Sequence, residues 1–411
     1  MTFNYRPYDP KKDKKATHRI WSETGWLKKG DEKLLDDYFA SGRTLVSEMD
    51  KEAECLVVSY LGEFLYQKVV CKFSCIAAVT TSFLARKQRF AGKLTAIKIA
   101  QDAKEGAIIS GLGMFEQGFY NRLGFGTGNY ENIISFVPAT LNINKTPPVP
   151  IRLTDKHIKK IHTCRKKRLR YHGSVTMPEA MTRLEFLRKK ETGFGFGYLN
   201  DKKEISHFIL LTGKGKENGP FWVECCGYET KEQLIELLAL LKSLGDQILC
   251  LKMIEPPEIQ LQDFLNKPFF HRELSNKSEF ASSSVTEAFW QLRILDLNKC
   301  LKKSKFLGKQ LQFNLDLTDP IENFLKEVDI DWKGISGKYH VQLGENSWAK
   351  KGFKKSLPTM KASVNAFSRL WLGILPASTL SVCEDMSAPV TLLNKLDDLI
   401  KLPPPKVDWL F

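Results

Sequence analysis

Long apolar runs, CxxC motifs and clustered histidines are all missing from this sequence. No stretch approaches the roughly 20 apolar residues of a membrane-spanning helix, and the first residues carry charges where a secretion signal has an apolar stretch. These absences predict a cytoplasmic protein without a membrane span. The nine cysteines are scattered without a CxxC pair, which predicts buried thiols instead of disulfides or zinc ligands. His157 and His162, the nearest histidines, are poorly spaced for one helix face, so we expect no metal.

Acidic residues are also scarce, because 47 Asp and Glu stand against 62 Lys and Arg, a formal net charge of +15. Such a charge predicts a polyanionic partner, which can be nucleic acid, anionic lipid or a phosphorylated cofactor. The most basic run, residues 159–170, holds seven Lys or Arg residues. Ile158, Ile161 and Leu169 give it an apolar stripe, which favours the exposed face of an amphipathic helix. No nucleic-acid-reading motif accompanies the run, so we regard nucleic acid as an unlikely partner.

The length of 411 residues favours more than one domain. Residues 138–150 contain four prolines and little periodicity, which predicts an extended linker. The segments on either side of this linker have a similar predicted order of helices and strands, which indicates a duplication. The predicted domains are therefore 1–137, 151–284 and 289–411.

Periodicity predicts a mixed α/β (α+β) fold for the first two domains. In the first domain, helices are predicted over 18–26, 32–39, 91–105 and 115–123, and strands over 55–60, 62–72, 74–81, 107–112 and 130–136. In the second, strands are predicted over 194–200, 207–212, 221–228 and 248–254, with a helix over 231–243. A tight turn is expected at Leu61-Gly62. The alternating Gly and Phe of residues 193–199 lack a following helix and lysine, so they predict a tightly packed strand and not a phosphate loop.

The region from Val79 to Gly126 carries the chemistry. It combines a strand, a basic loop, a helix N-terminus, a second strand and a tyrosine followed by Gly-Phe-Gly. The N-terminus of a helix presents unpaired N–H groups and a positive dipole end, which suit a pyrophosphate. Arg86, Lys87 and Arg89 add positive charge at this point.

This region resembles the acetyl-CoA motif of GNAT acetyltransferases. Val79, Thr81, Arg86, Ala91 and Leu94 match the motif without a gap, whereas Phe83 replaces its proline and Arg89 replaces its first glycine. The resemblance implies that acetyl-CoA is bound by Val79, Thr80, Thr81, Arg86, Lys87, Arg89, Phe90, Ala91 and Gly92. Two alternatives remain for Arg89, since its guanidinium can replace backbone donors or can block the site.

Tyr120 resembles the GNAT tyrosine that protonates the departing thiolate of coenzyme A. A phenol, with a pKa of about 10, lies slightly above an ordinary thiol and can deliver that proton. The alternative is a core tyrosine that packs beside Phe119 and Phe125.

Three stretches extend the resemblance over the rest of the chain: residues 292–301, residues 365–380 and the aromatic end Trp409-Leu410-Phe411. Together they are similar to the enhanced-intracellular-survival family, in which two GNAT-like domains precede a sterol-carrier-like domain. The resemblance implies a homohexamer that acetylates aminoglycoside-, polyamine- or lysine-like amines, with a second domain that lacks catalysis. It also implies that the carboxylate of Phe411 is the general base, although the tail can instead be a hydrophobic anchor. The alternative function is a catalytically degenerate scaffold that binds nucleic acid or another polyanion.

Overall fold

The computed structural model describes residues 3–213, 215, 217–268 and 278–409. The first part of the chain alternates helices with long strands. Its elements are β1 (Asn4–Pro7), α1 (Lys14–Glu23), α2 (Glu32–Ser41), β2 (Arg43–Met49), β3 (Glu52–Tyr66), β4 (Val69–Thr81), α3 (Phe90–Lys104), β5 (Ile109–Gly113), α4 (Gln117–Asn121), β6 (Gly126–Thr127) and β7 (Glu131–Phe136).

The middle part repeats this order in shorter elements. They are β8 (Ile151–Arg152), α5 (Ile158–Lys167), β9 (Val175–Thr176), α6 (Glu179–Arg188), β10 (Gly193–Leu199), β11 (Ile205–Thr212), β12 (Phe221–Gly227), α7 (Lys231–Ser243), β13 (Leu251–Ile254) and β14 (Ser283–Glu287). Short 3₁₀ helices lie over Pro138–Thr140, Asp155–His157 and Leu261–Phe264.

The last part forms a third group of elements. They are β15 (Trp290–Ile294), α8 (Leu297–Lys302), β16 (Leu311–Thr318), α9 (Glu322–Leu325), β17 (Gly337–Leu343), β18 (Trp348–Lys351), β19 (Thr359–Ser363), α10 (Val364–Trp371), α11 (Ala377–Cys383), β20 (Met386–Ser387) and α12 (Val390–Leu399).

The strands form three mixed sheets. The first has the order β1-β2-β3-β4-β5-β15-β6 with β9 beside β3, the second β14-β7-β13-β12-β11-β10-β8, and the third β18-β17-β16-β19-β20. Each sheet contains one parallel pair among antiparallel ones: β4 with β5, β12 with β13, and β16 with β19. The predicted mixed α/β fold is therefore confirmed.

Two strands join a sheet that the sequence analysis did not assign to them. β7 was placed in the first domain, but it pairs with β13 in the second sheet. β15 was placed in the third domain, but it pairs with β5 in the first sheet. β5 and β13 each have backbone N–H and C=O groups on one side that must pair with another strand. The periodicity of a sequence identifies a strand but does not identify the strand with which it pairs.

The chain packs as two compact units. One comprises Met1–Asn129, Tyr171–Pro178 and Phe289–Phe411, and the other comprises Tyr130–Arg170 and Glu179–Ala288. In the first unit, α3 buries Leu94, Ile97 and Ala100 against the sheet. In the second, α7 buries Leu237, Leu238 and its other leucines in a separate core.

The predicted turn at Leu61-Gly62 is wrong. β3 continues through both residues, which pair with Ser74 and Phe73 of β4. The hairpin closes instead beyond Tyr66, where Gln67 has φ +53°. Gly62 is explained by a close approach, because a Cβ there would lie 2.5 Å from the carbonyl oxygen of Thr176 in β9.

The remaining expectations have mixed outcomes. Ile158 and Ile161 lie on the buried face of α5, as predicted, whereas Leu169 lies beyond the end of the helix and is 41% exposed. All nine cysteines are in the described part, none is in a disulfide, six are buried and Cys383 is exposed. Residues 193–199 form the predicted strand, β10, whose Gly195 packs against Leu210. Within the described ranges no helix is long and apolar enough to cross a membrane, and no His, Cys, Asp and Glu side chains group as metal ligands do.

Candidate active site

The first sheet opens a crevice between its two parallel strands. β4 and β5 pair only over Phe73–Cys75 and Ile109–Gly111, while β4 continues for six residues to Thr81. Both strands point the same way, so the loop and helix that follow β4 and the turn that follows β5 meet at one edge. Crevices at the carboxyl ends of parallel strands are the usual ligand sites of such sheets.

A β-bulge shapes the β4 side of this crevice. Leu56 pairs with Thr80 and Val58 with Ala77, so Ala78 and Val79 both lie opposite Val57. Ala78 has φ +50°. A bulge leaves one residue out of the ladder and bends the strand, as is common beside active sites. Val79, Thr80 and Thr81 therefore lie at the irregular end of β4.

The loop from β4 to α3 uses its first amides internally. The N–H of Ser82 donates to the Glu54 carbonyl at 2.9 Å, and the N–H of Phe83 donates to the Glu23 carboxylate at 2.8 Å. The N–H of Ala85 donates to the Ser82 hydroxyl at 3.2 Å. The start of the loop is thus fixed before its basic residues begin.

The end of the loop leaves its donors available. Lys87 has φ +64° and Arg89 has φ +63°, while Gln88 between them has negative φ. Alternation of left- and right-handed residues turns successive N–H groups toward one side, a concavity that binds anions. Within the described ranges, the N–H groups of Arg86, Lys87 and Arg89 donate to no protein acceptor. All three side chains are exposed.

Arg89 therefore adopts the backbone conformation that glycine adopts most easily. A left-handed residue with a Cβ costs roughly 1–2 kcal/mol. A glycine at this position would allow the same backbone conformation without that cost. The side chain adds a guanidinium at the same place.

The two repeated helices differ at their N-termini. Arg89, the N-cap of α3, provides no side-chain cap, so the first N–H groups of α3 stay open. α7, in the corresponding position of the second repeat, begins with a capping box in which Thr230 accepts from Gln233 N–H and Gln233 accepts in return. The first N–H groups are therefore open at α3 and capped by protein groups at α7.

Three predicted cofactor residues lie in the first turn of α3. Phe90 is buried, with its ring 5.4 Å from that of Phe3. A Cβ on Gly92 would lie 2.6 Å from Cε1 of Phe324 in α9. Gly92 is thus required for helix packing. Ala91 lies at the edge of the same core.

Tyr120 lies on α4, directly after β5. Glu116 caps this helix and accepts from Gly118 N–H at 3.0 Å and Phe119 N–H at 2.5 Å. The Tyr120 ring is 8% exposed and packs edge-on against Phe119 at 4.9 Å and Phe125 at 6.3 Å. Burial, with a smaller contribution from the Glu116 charge, raises the pKa of Tyr120 to about 12. Tyr120 shares one apolar cluster with Val79, Phe90 and Ala91.

Two residues that the sequence analysis missed hold the Tyr120 turn. Asn365 of α10 donates to the carbonyls of Asn121 and Phe125, and Arg293 of β15 donates to the carbonyl of Leu123. Both anchors lie in stretches quoted for the family resemblance, residues 292–301 and 365–380, but that resemblance gave neither of them a role at Tyr120.

The tail lies against residues 172–175. The N–H of Lys406 donates to the His172 carbonyl at 2.9 Å. The Asp408 carboxylate accepts from the Ser174 hydroxyl and the Val175 N–H, both at 3.0 Å. Trp409 is 1% exposed. Phe411, the predicted base, lies outside the described residues.

Searches for a matching family model and for a matching curated protein found none. Solved structures do match along the whole chain. A conserved protein of unknown function from Enterococcus faecalis, described as a probable N-acyltransferase, has a TM-score of 0.80 at 15% identity over 100% of both chains. A GCN5-related N-acetyltransferase from Anabaena variabilis has 0.79 at 15% identity, and Eis1 from Mycobacterium abscessus has 0.76 at 13% identity, each again over 100% of both chains. The chain therefore has the fold of GCN5-related N-acetyltransferases.

Proposed function

We propose that this protein transfers an acetyl group from acetyl-CoA to a primary amine. The observation that carries the proposal is the uncapped N-terminus of α3, preceded by the left-handed residues Lys87 and Arg89, at the edge where β4 and β5 separate. A pyrophosphate needs several N–H donors and positive charge, and this loop offers both. The irregular end of β4, Val79–Thr81, offers backbone groups to the amide-containing arm of the co-substrate.

The proposed reaction is direct attack. The amine nitrogen forms a bond to the acetyl carbon, the carbon–sulfur bond breaks, and the thiolate of coenzyme A takes the hydroxyl proton of Tyr120. A pKa of about 12 keeps this phenol protonated at neutral pH, but it also makes the phenol a weaker acid than an ordinary thiol of pKa about 8.5, so the transfer requires that the thiolate is desolvated in the same apolar site. The amine proton passes to a base.

We propose the carboxylate of Phe411 as that base. β9 is antiparallel to β3, and β3 is antiparallel to β4, so β9 runs toward the same end as β4. The tail runs beside residues 172–175 in that direction as far as Trp409, the last described residue. A carboxylate of ordinary pKa is a weak base, so burial or a water relay must assist it.

The second repeat is proposed to be a scaffold without catalysis. Its α7 follows β12 after only residues 228–230, and its first N–H groups are capped by Thr230 and Gln233. The sterol-carrier-like character of residues 289–411, the hexamer and the aminoglycoside-, polyamine- or lysine-like acceptor stay predictions. The second candidate function is a polyanion-binding scaffold, which the exposed basic loop 86–89 also fits.

Thermal unfolding with and without acetyl-CoA tests the proposal. At 100 times its Kd, a ligand stabilises the folded state by about 2.7 kcal/mol. We expect acetyl-CoA to raise the Tm of the wild type, of Tyr120→Phe and of a variant lacking Phe411, while thiol release with a polyamine falls to a low but measurable rate only in the two variants. Tyr130→Phe is the matched control, because Tyr130 is 70% exposed and belongs to the other unit. If the Tm of the wild type does not change with acetyl-CoA but rises with nucleic acid, the result would favour the polyanion-binding scaffold instead.

A further inference from the structure

The turn of chain that carries Tyr120 is too short to hold its shape alone. α4 has five residues, whereas isolated helices below about 12 residues are marginal in water. Backbone bonds close its C-terminal end, from Phe125 N–H to the Tyr120 carbonyl at 3.3 Å and from Gly124 N–H to the Asn121 carbonyl at 3.0 Å. Gly124 has φ +84°, as this type of closing turn requires. The position of the Tyr120 ring therefore depends on what holds the carbonyls of the turn.

Asn365 holds two of these carbonyls. Its Nδ2 donates to the Asn121 carbonyl at 2.9 Å and to the Phe125 carbonyl at 2.8 Å. The residue is only 9% exposed, so water has little access to the pair. One amide group thus joins the last residue of α4 to the residue that follows the turn.

Arg293 holds the carbonyl between them. Its Nη1 donates to the Leu123 carbonyl, and its Nη2 donates to the Asp319 carboxylate at 2.6 Å. The guanidinium is fully buried and lies directly against the turn, because a Cβ on Gly124 would be 2.6 Å from Nη1. The turn and its anchors are therefore packed too closely to shift independently.

Both anchors come from the last third of the chain. Arg293 lies 170 residues beyond Leu123, and Asn365 lies 244 residues beyond Asn121. We infer that Asn365 and Arg293 are positioning residues, which act on the transfer reaction by fixing the Tyr120 hydroxyl at the crevice. The inference rests on the proposed function. It assigns to β15 and α10 a part in the chemistry, separate from any part played by the tail.

A double-mutant cycle tests this inference. Asn365→Ala removes both donors, and Asn365→Leu removes them while keeping the volume, in case the alanine variant folds poorly. We expect kcat for thiol release to fall about tenfold or more, because small displacements of a catalytic group are costly. The Kd of acetyl-CoA, measured by titration, should change less than about twofold, since the α3 loop is untouched.

Asn314→Ala is the matched control. Asn314 is also buried, and its Nδ2 also donates to two carbonyls, those of Lys354 at 3.0 Å and Leu357 at 3.1 Å, in the third sheet. This variant should lose a similar amount of Tm and keep its kcat.

The decisive comparison repeats Asn365→Ala in the Tyr120→Phe background. If Asn365 acts through the Tyr120 hydroxyl, the kcat penalty of Asn365→Ala should disappear there. An equal fold-loss in both backgrounds, or an equal loss in Asn314→Ala, would overturn the inference and leave the proposed function intact. If Tyr120→Phe alone leaves kcat unchanged, Tyr120 is not the acid, and the proposed mechanism is wrong together with the inference.

Discussion

Substitution of Arg89 separates the two roles that this residue combines. Its backbone, with φ +63°, gives direction to the N–H groups before α3, and its exposed side chain supplies charge. Arg89→Ala removes the charge and keeps the left-handed strain, whereas Arg89→Gly removes both. The difference in stability between the two variants therefore measures the backbone strain at position 89. The loss of acetyl-CoA affinity that both variants share, relative to the wild type, measures the contribution of the charge.

The expected magnitudes follow from the geometry. Glycine relieves roughly 1–2 kcal/mol of left-handed strain and loses about 0.4–1 kcal/mol to the greater freedom of the unfolded chain. Arg89→Gly should thus be about 1 kcal/mol more stable than Arg89→Ala, which is roughly 2–4 °C in Tm for a unit of this size. An exposed charge-assisted hydrogen bond to phosphate contributes about 1–2 kcal/mol. Both variants should accordingly bind acetyl-CoA about 5- to 30-fold more weakly, and the difference should shrink at high salt.

Thermal unfolding and titration calorimetry measure the two effects. Lys51 provides the control, since it has φ +69° and is exposed in the turn between β2 and β3, outside the crevice. Lys51→Ala and Lys51→Gly should reproduce the stability difference without any change in affinity. If Arg89→Gly binds acetyl-CoA as tightly as the wild type or more tightly, the guanidinium obstructs the site, and the role assigned to it here is refuted.

Three further predictions concern packing, pH and the tail. Gly92→Ala should destabilise the protein by about 1–3 kcal/mol through its clash with Phe324, and the better helix propensity of alanine should offset about 1 kcal/mol of this loss. Adding Phe324→Leu should restore the Tm. If the double variant still fails to bind acetyl-CoA, Gly92 has a role in binding the phosphates. Because burial raises the pKa of Tyr120 to about 12, the pH profile of kcat/KM should not fall with a midpoint near pH 10, as it would for an ordinary phenol. The stability that the folded protein gains from keeping this phenol neutral should be complete below pH 10 and lost between pH 10 and 12. Asp408→Ala should lower kcat as deletion of Phe411 does and leave acetyl-CoA binding intact, since it breaks the contacts to Ser174 and Val175; unchanged kcat would exclude the tail from catalysis.

Local sequence patterns predicted the helices whose ends depend on nearby residues, such as α3 and α7. The periodicity of α3 placed the helix within one residue of its observed ends, and α7 matches at both ends. Gly106 has φ +91° just beyond α3, as expected of a helix stop. The basic loop and Tyr120 were found because each lies directly after a strand with a clear apolar pattern.

Long-range contacts were not predictable in the same way. Arg293 and Asn365 lie in the stretches 292–301 and 365–380 that carry the family resemblance, but only the closed turn after Tyr120 makes their guanidinium and amide groups necessary. Gly92 was predicted to bind acetyl-CoA, and the structure explains why this position is glycine by the ring of Phe324. The left-handed conformation of Arg89 contradicts residue preference and arises from the path that the loop must take into α3.

The pairing of β15 with β5 also bears on how the protein is made. The ribosome releases β5 long before β15, and at 5–20 residues per second the intervening chain takes roughly 10 to 35 s to emerge. During this interval the nascent first sheet has an open edge beside the future crevice, and open edges recruit foreign strands. A recombinant fragment that stops at the 138–150 linker would keep that edge permanently and should aggregate. Chaperone demand and fragment solubility are thus set by a strand that begins 177 residues after its partner ends, from Gly113 to Trp290.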